Sequence, residues 1–174
     1  MDTRTRRLFI LKNLIYTLTV ISAYVLQETP GALSIAGVKP NLVIAAVVAI
    51  AMTEGEFSGG LYGLLGGILC DTAAFHIFGA ASILFTVLGC GCGLVTIYLV
   101  RSNWRTSLLM NSVFAFVYGT VSHYLIYGMW GYEGAAMLYL TKTLPSVVYT
   151  AGFGVLFYYA AQYNDKRFKE AEKQ

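Results

Sequence analysis

The chain has 174 residues, 57% of them hydrophobic and only 12% charged, with a formal net charge of +3 and a mean hydropathy of +0.63. Soluble domains carry about 25% charged residues. Here only Lys12, Glu28, Lys39, Glu54, Glu56 and Asp71 lie between Arg7 and Arg101, and only Glu133 and Lys142 between Thr106 and Asn164, which excludes a water-soluble domain and defines an all-α, polytopic membrane protein.

Residues 1–7 read as a basic cytoplasmic N-terminus and Leu8 to Gln27 as the first span. The start could pass for a signal peptide. Its apolar part is long, however, is interrupted by Lys12 and Asn13, and no convincing small-x-small cleavage site follows close behind, so it is expected to be retained. Further spans are expected over Pro40 to Met52, Phe57 to Phe75, Ala80 to Val100, Thr106 to Trp130 and Leu138 to Gln162, with a charged cytoplasmic tail over 163–174. Together these make one integral membrane domain, a bundle of six transmembrane helices. The second span is short, about 20 Å of helix against a hydrocarbon core of about 30 Å. It is expected either to begin earlier, within Gly31 to Gly37, or to form a shallow re-entrant pair with the third; the longer span is favoured. Pro40-Asn41 then marks a kink or a span start.

Basic residues give the orientation. With six spans, Arg4, Arg6, Arg7, Arg101, Arg105, Lys166, Arg167, Lys169 and Lys173 fall on one side and Lys39 alone on the other, while Lys12 and Lys142 lie within spans. That asymmetry predicts both termini in the cytoplasm. Tyr127, Trp130, Tyr132 and Tyr139 bracket the outer interface and Trp104, Tyr158, Tyr159 and Tyr163 the inner one, as an aromatic belt does.

The third span carries Gly59, Gly63 and Gly67 at four-residue spacing, with Asp71 next in the series and Gly60 and Gly66 beside it. On a helix these form one stripe. Small residues let helix backbones touch in lipid, so the stripe predicts a tight contact with a neighbour in the chain or with a partner. Asp71 suits two roles, capping the segment that follows or serving as a membrane-embedded acid that needs a mate. His76, His123 and Lys142 share the expected outer side. An Asp71–Lys142 ion pair or a shared water-filled pocket is therefore expected there, with snorkelling of Lys142 as the alternative.

No catalytic arrangement emerges. Ser122 and His123 are adjacent and diverge on a helix, and two histidines are too few for a metal triad. Cys90 and Cys92 diverge as well and, with Cys70, read as small buried hydrophobes. Asp71 stands without the second aspartate that an intramembrane protease needs. No phosphate-cradling loop or nucleic-acid-binding surface is present. Neither a cofactor nor a metal is expected.

The stretch from Lys39 to Gly89 resembles the core of the MreD family of bacterial rod shape-determining membrane proteins. Pro40-Asn41 opens an apolar span. A polar turn with Glu54 and Glu56 precedes a glycine-rich span ending in Leu69-Cys70-Asp71, and Gly79 precedes the next span. Cys70 stands where an aliphatic residue is usual. The resemblance implies a non-enzymatic scaffold in the bacterial cytoplasmic membrane that binds an MreC-like bitopic protein. It implies indirect links to MreB-like filaments, RodA and a penicillin-binding protein, in the elongation machinery that organises lateral-wall peptidoglycan synthesis. A glycine-lined helix face would suit a partner's single span. The alternative is a substrate-binding S component of an energy-coupling vitamin transporter, whose six-span fold the MreD fold is thought to resemble. The Ala-x-x-x-Ala docking pattern of such components is missing from the first span, where Ala23 stands alone.

Overall fold

A computed structural model describes residues 3–29, 31, 33, 38–73, 78–100, 102–128 and 135–172. Regular structure among them is helical: α1 (Thr3–Glu28), α2 (Leu42–Glu54), α3 (Glu56–Ala73), α4 (Ala80–Tyr98), α5 (Trp104–His123), α6 (Ala135–Leu138) and α7 (Leu144–Glu172). Wider π turns extend α5 over Tyr124–Gly128 and join α6 to α7 over Tyr139–Thr143, so the last two helices form one rod and the bundle has six. Among the described residues four stretches are long and apolar enough to cross a membrane: Arg6–Glu28, Ala80–Tyr98, Trp104–Tyr127 and Ala136–Phe168.

The centre of the bundle is α2. Its sequence LVIAAVVAIAMTE is apolar on every side, the signature of a helix surrounded by protein, and Leu42 through Met52 are all buried. Its neighbours are α1, α3, α4, α5 and α7. Thirteen residues suffice because these helices, not lipid, cover it. The expected earlier start does not occur over Val38–Asn41, which is not helical; residues 34–37 lie outside the described residues. Asn41 holds an extended conformation and its Oδ1 accepts from the Ile44 amide at 3.1 Å, so the helix is capped at Leu42. The other end stops at Gly55, whose φ of +93° is a backbone conformation that glycine adopts readily. The Gly55 amide donates to the Ala51 carbonyl at 3.0 Å, and the Gly55 carbonyl accepts from the Gly59 amide at 2.9 Å. One residue thus closes α2 and opens α3.

The π turn before α7 has a local cause. Pro145 has no N–H for the Thr141 carbonyl, and its ring would crowd that carbonyl in a regular helix. The Leu144 amide reaches back to the Tyr139 carbonyl instead, widening the turn. Large apolar side chains such as Phe9, Leu14, Leu18 and Val25 line the outside of α1 and are exposed, as a lipid-facing surface requires.

Candidate functional site: a glycine contact and two polar ends

The glycine stripe is filled from within the chain. A Cβ on Gly59 would meet the Gly89 carbonyl, one on Gly63 would fall on the Phe85 carbonyl, and one on Gly67 would overlap the Ser82 backbone. Contact is reciprocal, because Gly89 and Gly93 of α4 lie against the backbones of Gly59 and Glu56. Gly60 makes room for Cys90 Sγ, and Gly66 turns the other way, towards Val43 and Val47 of α2. Of the two occupants the sequence allowed, the structure seats the chain's own α4. No groove remains on that face for another helix.

Asp71 ends the stripe and is buried. Its two carboxylate oxygens accept from the Ala81 amide (3.0 Å), the Ser82 amide (2.9 Å) and the Ser82 hydroxyl (2.5 Å). These are first-turn groups of α4, where amides lack helical partners and the helix dipole favours negative charge. Asp71 therefore caps the following helix from the preceding one. Lys142 is not its mate: among the described residues no ion pair joins the two, because α4 already engages the carboxylate. His76 lies outside the described residues.

His123 and Lys142 do come together, without Asp71. They line a cavity of about 270 Å3 at the end of the bundle where α2 and α7 begin, with Lys39, Ser122, Tyr118, Tyr127 and Ser146 among the other walls. His123 packs against Tyr127 and Tyr139, with ring centroids 4.9 and 5.2 Å away. Asn41 helps close the floor. Its amide donates to Thr150 Oγ1 at 2.9 Å, and Ser146 Oγ donates to the Lys39 carbonyl at 2.7 Å, tying the start of α2 to α7.

The opposite end holds a cluster that the sequence does not announce. Lys12 Nζ lies 2.7 Å from Glu54 Oε1 and 3.1 Å from Asp165 Oδ1. Tyr16 OH donates to the same Glu54 oxygen at 2.9 Å, and Tyr62 OH donates to the Asn13 carbonyl at 3.1 Å. Helices α1, α2, α3 and α7 meet there. Sequence reasoning makes Lys12 an interruption, Glu54 part of a turn and Asp165 part of a tail. The available signal is that a lysine inside an apolar span needs a mate.

Cys70 and Cys92 are buried and Cys90 half-buried, all unbridged. Among the described residues no three His, Cys, Asp or Glu side chains are grouped to hold a metal ion. Fold and polar groups together define a helical membrane protein whose buried charges join helices to one another. The sequence profile of one family, described as rod shape-determining protein MreD, matches residues 7–162. The chain therefore belongs to the MreD family, a family of cell-shape-related membrane proteins. No curated protein and no solved structure matches the chain.

Proposed function

We propose that this protein is a non-enzymatic scaffold of the bacterial elongation machinery, a six-span bundle of S-component type with both termini in the cytoplasm. It binds an MreC-type bitopic protein and, through it, organises lateral-wall peptidoglycan synthesis by RodA and a penicillin-binding protein alongside MreB-like filaments. The observation that carries this reading is the family match over residues 7–162, nearly the whole membrane domain. The way charge is used supports it, since Lys12, Glu54, Asp165 and Asp71 all join one helix to another. With α4 seated on the glycine stripe, the partner's helix meets a surface of side chains instead.

Purification of the full chain in mild detergent, followed by mass spectrometry of co-eluting proteins, tests the reading. An MreC-like protein is expected. An ATPase module together with a bound vitamin would replace the scaffold with a transporter component.

A further inference from the structure

The cavity beside His123 and Lys142 has features that helix packing alone does not require. Its volume of about 270 Å3 equals roughly nine water molecules at ~30 Å3 each. Among the described residues Lys39 and Lys142 are its only formally charged lining residues, and neither is ion-paired. Two like charges at one cleft, with no carboxylate among its described lining residues, create a positive potential at the opening. Apolar side chains line it as well, Ile44, Ala115 and Val147 among them.

Both helices that flank the cavity abandon regular α geometry there. Tyr127 lies in the π turn of 124–128 and Lys142 in that of 139–143, and both line the cavity. Such turns are rare and recur at functional sites, because the extra residue per turn re-aims side chains. Pro145 accounts for the second turn; no proline accounts for the first.

We propose that this cavity binds a phosphate ester, with Lys142 and Lys39 as counter-charges, His123 as a hydrogen-bonding group held in place by Tyr127 and Tyr139, and the apolar side chains taking up the carbon skeleton. Two sources share that chemistry: the headgroup of an anionic membrane lipid and a soluble phosphate. The size of the cavity admits a headgroup and the first carbons behind it, not a whole lipid. The site is independent of the partner reading above.

The test is native mass spectrometry of the full chain, released from mixed micelles containing equal amounts of phosphatidylglycerol and phosphatidylcholine. Retention of phosphatidylglycerol over phosphatidylcholine by roughly 25-fold is expected, about fivefold from each of the two lysines near an anionic lipid. The preference should fall about fivefold in Lys142→Gln and again in Lys39→Gln, survive in Lys142→Arg, and persist in Lys166→Gln at the other end of the bundle. Lys39 and Lys142 are both exposed, so these variants should fold. Loss of bound phosphatidylglycerol to millimolar glycerol phosphate or inorganic phosphate would support the same site with a soluble ligand. Equal retention of the two lipids with no binding of either soluble phosphate would overturn the proposal. So would a preference unchanged in both glutamine variants or abolished by Lys166→Gln.

Discussion

At one end of the bundle a single lysine, Lys12, is held by two carboxylates and shares one of them with a tyrosine hydroxyl. At the other end two lysines, Lys39 and Lys142, face a cavity that no carboxylate lines among the described residues. Both ends are rich in polar side chains and lie beyond a common apolar centre. The difference is whether the chain supplies its own counter-charge. Where it does, the charges fasten α1 to α2 and α7; the two lysines of the cavity have no ion-pair mate among the described residues. Charge in a membrane protein therefore says little until its mates are counted.

The largest effect is expected between the two ends, at the α3–α4 contact. Gly63→Leu drives a side chain into the Phe85 carbonyl. It should cost at least about 3 kcal/mol, the upper range for overpacking, because backbone cannot move aside as a side chain can. Thermal unfolding in detergent reads this out, and a midpoint like that of the unaltered protein would break the account of the α3–α4 contact. Next comes Lys12→Met, which leaves Glu54 and Asp165 facing each other without a cation. Breaking a fully buried pair costs about 3–5 kcal/mol. With Lys12 and Glu54 side chains 18% and 19% exposed, a loss of about 2 kcal/mol is expected once solvent screening is allowed for. Adding Glu54→Gln and Asp165→Asn should return at least half of that loss. If it does not, the cluster is not held by charge.

Asp71→Ala should cost about 1–2 kcal/mol, since it strands the Ala81 and Ser82 amides. Asp71→Asn should cost less, because its one remaining acceptor oxygen can still serve an amide. Smallest of all is Lys142→Gln, expected within about 0.5 kcal/mol of the unaltered protein, as for other exposed positions. A loss there as large as that of Lys12→Met would erase the distinction between the two ends.

Much of this was legible in the sequence, and the gaps have physical causes. Four-residue spacing of Gly59, Gly63 and Gly67 marks a contact face because the helical period puts them in line. The occupant is harder to read. Its signal lies in Ser82, Gly89 and Gly93, spaced seven and four on α4, a series that Cys90 and Cys92 interrupt. The central position of α2 was also available, since a helix apolar all round belongs inside a bundle; length alone makes it look like a defective span. Lys12, Glu54 and Asp165 are another matter. Lys12 and Asp165 are 153 residues apart, and only the packing of α1, α2 and α7 brings the three together. Asp71 was readable as a cap by residue type. That its amides lie ten and eleven positions onward depends on how the chain turns between α3 and α4.

The burial of α2 also bears on the order in which the protein can be made. This helix precedes α7 by more than 80 residues, yet α7 covers part of it. The ties at both its ends wait for that helix as well: the Asn41 amide needs Thr150, and Lys12, which holds Glu54, needs Asp165. Until α7 is made, α2 has a short apolar body and incomplete cover, and contacts between such distant parts of a chain form late. A nascent chain stopped before residue 144 should therefore sit in the membrane with its core unfinished and open to proteolysis. The central helix is thus made early and enclosed only when α7 packs against it.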